Sequence, residues 1–128
     1  MTSKITNQLP DALYRMISER PEWTIINQAK ERLIGFGAGA GLRIHSVHYV
    51  ATFAAWDDGI GVWMFFPTDR DLEEYTTSGV TKTLKAEYLK ILHELNYPFD
   101  KFPKVVFTFD SDENVQRNYE GSYFYRLR

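Results

Sequence analysis

The stretch LRIHSVHYVATFAAWDDGIGVWMFFP, residues 42–67, decides the fold class. Two runs rich in β-branched and aromatic residues flank Asp57-Asp58-Gly59, and an Asp-Gly step between such runs is a strong short-range hairpin signal. From Val47 onward both side-chain parities are largely apolar or aromatic. Strands of that kind are covered on both faces, or they expose one face as a binding surface. The stretch therefore predicts a central β-hairpin in a sheet with helices packed on it.

The flanks supply the helices. Leu9, Leu13, Met16 and Ile17 share one helical face with Pro10 in its first turn, which predicts a helix near 10–20 stopped by Pro21. Thr24 suits the cap of a second helix carrying Ile26, Ala29, Leu33 and Phe36, completing a helical hairpin. GFGAGAG (35–41) follows a helix and leads into a strand, the reverse of a dinucleotide fingerprint. It reads as a C-cap at Gly35 or Gly37 and a mobile loop rather than a phosphate cradle.

Downstream, Thr68 and Asp71 resemble a capping box opening the short acidic helix TDRDLEEY, broken at Ser78-Gly79. Over 80–95, Leu84, Tyr88, Ile91, Leu92 and Leu95 form one apolar stripe with Lys82, Lys85 and Lys90 off it. Asn96 and Pro98 end that helix. PFDKFP reads as a loop, KVVFTF (104–109) as a strand, and SYFYRL (122–127) as a last strand. The expectation is a single domain over 1–128 of α/β (α+β) class, with a mixed or antiparallel sheet of about four strands.

Composition limits the function classes. The chain has 128 residues, 44% hydrophobic and 25% charged, enough for a substantial core and unlike a disordered segment. It has no cysteine, which excludes disulfides, thiolate metal sites and a cysteine nucleophile. MTSKITNQLPDALYRM has no apolar leader core, and no apolar run reaches membrane-spanning length, so a soluble cytoplasmic protein is expected.

Within the last quarter, FDSDENVQRNYEGSYFYRLR (109–128) offers Asp110, Asp112 and Asn114 at calcium-loop spacing. Val115 stands where such a loop needs glycine, and Gly121 where it needs a bidentate glutamate, so no metal is expected. A capped helix over 110–120 fits better, with Asp110 as N-cap, Glu113 reaching back from N3 and Gly121 at the left-handed end.

Little else suggests chemistry. His45 and His48 stand three apart, so a regular strand would point them to opposite faces, and His93 has no partner of recognisable spacing. No nucleophile elbow, phosphate loop or zinc motif is present, so neither an enzyme nor a cofactor is expected. The charge distribution is more informative. Asp57, Asp58, Asp69, Asp71, Glu73 and Glu74 face only Arg70 within 57–74, and Asp110, Asp112, Glu113 and Glu120 face only Arg117 within 110–120. Ten of the 17 acids lie in these windows. Such clusters repel phosphates and attract a basic partner, so direct nucleic-acid binding is not expected. Aromatics make up 16%, and Tyr119 and Tyr123 beside the acids are residue types favoured at interface hot spots.

WDDGIGVWMFFPTDRDLEEY (56–75) and FDSDENVQRNYEGSYFYRLR resemble pieces of the small bacterial immunity proteins of contact-dependent growth inhibition, the CdiI group. The resemblance covers about half the chain and rests on no diagnostic motif. It implies a cytoplasmic antitoxin that binds, one to one, the C-terminal toxin domain of a CdiA-type effector, often a basic nuclease acting on tRNA, and covers its active site or substrate surface. The expected partner surface comes from the charge argument instead: Asp57, Asp58, Asp69, Asp71, Glu73, Glu74, Asp110, Asp112, Glu113, Tyr119 and Tyr123, converging on one face. The alternative expectation is a small-ligand or adaptor domain that uses the apolar hairpin as a pocket.

Overall fold

The computed structural model describes residues 20–51, 53 and 58–127. The helix expected near 10–20, and with it the first half of the helical hairpin, lies outside these residues, as does Asp57. The described chain is α+β, with five helices and one three-stranded mixed sheet. Helix α1 spans Pro21–Gly39, β1 Ser46–Val50, β2 Gly59–Phe66, α2 Asp69–Ser78 and α3 Val80–Glu94; β3 spans Lys104–Ser111, α4 Asp112–Asn118 and α5 Tyr123–Arg126.

Helix α1 begins at Pro21, not at a Thr24 cap, because a proline needs no N–H in the first turn and its fixed φ suits that place. The helix also continues through Gly35 and Gly37 to Gly39, where the Leu42 N–H turns back to donate to the Gly37 carbonyl at 2.8 Å. Burial of Leu33 and Gly37 on the packed face carries the helix past glycines whose propensity would end it. The α2 expectation holds: Thr68 accepts from the Asp71 N–H at 3.0 Å, and Gly79 takes the left-handed conformation at φ +89° that a side chain disfavours. Helix α3 buries the expected Leu84, Tyr88, Ile91 and Leu92.

The sheet order is β1-β2-β3, with β1 antiparallel and β3 parallel to β2. The antiparallel pair is as expected, but Asp58-Gly59 is not its two-residue turn. The last β1–β2 pair is Val50 with Gly61, while Gly59 already lies inside β2 and pairs with Lys104 of β3. The fourth expected strand, SYFYRL, is instead the single helical turn α5. Ser122 accepts from the Tyr125 N–H at 3.2 Å, and a capped turn satisfies the backbone donors that a strand would leave at a sheet edge.

One face of the sheet makes the core. Val47, Ile60, Val62, Met64 and Phe66 pack against Ile26, Ala29 and Leu33 of α1 and the apolar stripe of α3. Two tyrosines at the core bond in series: Tyr49 donates to the Ile26 carbonyl at 2.7 Å, and Tyr88 donates to the Tyr49 hydroxyl at 3.2 Å. Burial pushes both phenols far above their ordinary range, so they remain neutral donors. Among the described residues, no helix is long and apolar enough to cross a membrane.

Parallel pairing of β2 with β3 requires bare backbone at Gly59, where an added Cβ would stand 1.9 Å from the Lys104 carbonyl oxygen. Gly59→Ala is expected to lower stability by about 1–3 kcal/mol through this overpacking. At Gly61 the nearest atom to an added Cβ is the Trp63 indole nitrogen at 3.5 Å, an ordinary contact. Gly61→Ala should therefore unfold at nearly the wild-type denaturant midpoint, and equal midpoints for the two variants would contradict the parallel register.

Candidate functional site

Because β2 and β3 are parallel, their carboxyl ends lie side by side, Phe65 opposite Asp110 and Phe66 opposite Ser111. Helices α2 and α4 start there, and their N-termini meet. The Asp69 N–H at the start of α2 donates to Glu113 Oε1 of α4 at 2.7 Å. In return, the Ser111 hydroxyl that caps α4 donates to Asp69 Oδ1 while accepting the Asn114 N–H at 3.0 Å. Arg117 closes the group at 2.9 Å from Asp69 Oδ2. Each helix thus supplies a carboxylate to the positive end of the other. The Ser111 bond first, and Arg117 after it, hold the Asp69 carboxyl below its usual range.

Two expectations about α4 are corrected. The cap is Ser111 rather than Asp110, and Glu113 reaches across to α2 instead of back to its own cap. Asp110 stays in β3, buried, because it has stronger partners. Its Oδ2 accepts from Arg126 Nε at 2.6 Å and from Asn114 Nδ2 at 2.8 Å, and its Oδ1 accepts from the Ser111 N–H at 2.8 Å.

These bonds tie down the C-terminal segment on the sheet face opposite the core. The Arg126 guanidinium lies 4.8 Å from the Trp63 ring centre and 5.3 Å from that of Tyr119. Tyr123 meets Phe65 edge-on at 4.7 Å and donates its hydroxyl to Asp112 Oδ1 at 2.5 Å. Burial, then the Asp112 bond, pushes the phenol well above its ordinary value, whereas the same bond holds the Asp112 carboxyl low, helped by Gln116 and His45. His45 precedes β1, so the alternation expected of HSVH does not apply, and both His45 and His48 lie parallel to the Tyr123 ring, at 6.2 and 4.7 Å.

The expected partner residues therefore sort into three groups. Asp58 pairs with Lys104 at 3.4 Å at the amino end of β2, the eight-residue strand's length (about 23 Å) from the other acids, so it does not converge with them. Asp69, Asp110, Asp112, Tyr119 and Tyr123 are engaged inside the molecule, and Asp71 lies 3.6 Å from Arg43. Glu73 and Glu74 are exposed, and with the described residues they form no ion pair; Glu113 is exposed as well. Glu74 and Glu113 line one hollow with Arg43, Thr68, Arg70 and Asp71, and Glu73 adjoins it. Among the described residues the exposed aromatics are Phe124 and Tyr125, 70% and 55% accessible, in edge-to-face contact at 5.7 Å. A strand reading of 122–127 hid that pair; the Ser122 cap is the signal that would have found it. Among the described residues no group of three or more His, Asp or Glu could hold a metal ion.

Comparison with protein-family models, with curated proteins and with solved structures finds no match to this chain.

Asp110→Ala should destabilise by about 3 kcal/mol, the lower end for breaking a buried ion pair, since Arg126 keeps a fifth of its side chain exposed. That exceeds the loss expected from a cap alone, and chemical denaturation measures it. The depressed carboxyls of Asp69 and Asp112 contribute stability that is present above their unfolded value of 3.8 and lost as pH falls through their folded values. Urea midpoints should accordingly drop below about pH 4, and Asp112→Asn should make that drop shallower; an identical acid profile would contradict the Tyr123–Asp112 bond.

Proposed function

We propose that this protein is a toxin-neutralising immunity protein of the contact-dependent growth-inhibition kind, docking on a cationic toxin domain through the outer face of α2 and the start of α4. The observation that carries this reading is the pair of exposed carboxylates at Glu73 and Glu74, which form no ion pair with the described residues, with Glu113 exposed near them although its Oε1 takes the Asp69 N–H. The neighbouring aspartates are engaged by Ser111, arginines and a tyrosine, while Glu73 and Glu74 stay exposed. Exposed carboxylates of this kind steer encounter and select partners more than they add affinity. The Phe124–Tyr125 pair supplies the large apolar contact that steering alone lacks.

The competing pocket on the hairpin is less well served. The hollow there, lined by Val50, Gly59, Ile60, Gly61 and Val106, holds about 180 Å³, below the roughly 300–1,000 Å³ of ligand sites.

The test begins with the reading frame beside this gene: its product should be lethal unless this protein is co-expressed, and should bind it one to one. Reversing Glu73 and Glu74 together to lysine should slow association by about tenfold or more at low salt and reduce its salt dependence. Phe124→Ala should speed dissociation, weakening binding by about 2 kcal/mol if it is a hot spot. Circular dichroism controls for folding. A folded double variant with unchanged association at every salt concentration would sink the electrostatic account, and a harmless neighbour that does not bind would sink the immunity reading.

A further inference from the structure

We propose that residues 119–127 form a strap held on the outer sheet face by a neutral His48, and that uptake of a proton by the His48 imidazole releases it. Phe65 is fully buried although it faces away from the core. What shields it is ring contact: Tyr123 edge-on at 4.7 Å, His48 edge-on at 5.5 Å and Trp63 stacked at 6.3 Å. His48 and Tyr123 are themselves stacked at 4.7 Å, so the histidine is the β1 half of the clasp and the tyrosine is the strap half. The His48 Nε2 faces Ser46 Oγ at 3.1 Å, a contact that a neutral imidazole satisfies as acceptor or donor.

The surroundings offer a His48 cation little. From α1 comes Lys30 and from just before β1 comes His45, both unfavourable to it. Strand β2 presents the Phe65 ring, and the strap presents Tyr123 with Arg126 beyond it. The acids on this face are already engaged, Asp110 by Arg126 and Asn114, Asp112 by Tyr123 and Gln116. The Tyr123 ring face would attract a cation somewhat, but burial opposes it. Burial first, then Lys30 and His45, hold the imidazole below its ordinary 6.5. The sign follows: the stabilisation is present above 6.5 and is lost as pH falls through the folded-state value. The Tyr123–Asp112 anchor persists to lower pH because that carboxyl is held below its ordinary range, so histidine titration acts first. With α5 only one turn long, the consequence is local opening rather than global unfolding.

The experiment is an NMR titration of the full chain from pH 7.5 to 4.5, with hydrogen exchange of the strap corrected for intrinsic rates. The His48 ring should titrate below 6.5, and the Tyr123 ring and the amides of 122–127 should shift with the same midpoint. Their protection should fall about tenfold per pH unit below the unfolded value, the limit for one linked proton, until the folded value is reached, while β2 amides stay protected. His48→Gln should flatten the response and His45→Gln should retain it. Strap signals that stay flat through the His48 midpoint would overturn the proposal, as would a full response in a folded His48→Gln variant. If His48→Gln does not fold, the wild-type co-titration decides by itself.

Discussion

Laying β3 parallel to β2 is the constraint on which the rest of this structure depends. It brings two carboxyl ends to the same edge of the sheet, so the helices that follow, α2 and α4, must start beside each other. Two helix N-termini in contact concentrate partial positive charge and unpaired N–H groups. In open sheets the ground outside the carboxyl ends of parallel strands is where ligands usually bind. Here the chain fills it with its own side chains, Asp69, Ser111 and Glu113, each bonding to the opposite helix or its cap.

The same edge fixes the sheet's second face. Asp110, one residue before the parallel pairing ends, is buried, and a buried carboxylate requires partners. Arg126 and Asn114 provide them, drawing the C-terminal turn over Trp63 and Phe65. Burying this ion pair in place of an apolar pair adds little net stability. Its value here is geometric, because it sets where α5 lies and therefore where Phe124 and Tyr125 emerge.

Function is read from what remains after these internal demands are met. Most of the acids in the two dense windows are structural, and a surface pair such as Asp58–Lys104 is worth only about 0–1 kcal/mol. The residual charge on α2 and α4 is smaller than the sequence total suggests but better localised, and it lies on the side of the molecule where the two helices meet. A cationic partner approaching that side would meet carboxylates whose helices are already rigidly capped, an arrangement that costs little entropy on binding.

Local chemistry written in the sequence was enough for the α+β class, the antiparallel β1–β2 pair, the α2 cap at Thr68 with its break at Gly79, and the α3 stripe. These depend on contacts between residues near in the chain or on a single periodicity. The strand count, the parallel register of β3, the reassignment of Asp110 from cap to buried ion-pair partner, and the turn of helix at 123–126 were decided by tertiary structure. Asp110 could cap a helix as well as Ser111 could; only the presence of Arg126, sixteen residues away in the chain, makes burial in β3 the better use of it. Likewise SYFYRL is as rich in aromatic residues as a strand, yet Phe65 and Asp112 reward a turn that brings Tyr123 inward. Which acids are free was equally invisible in the sequence, because neutralisation depends on distance in space and not on spacing along the chain.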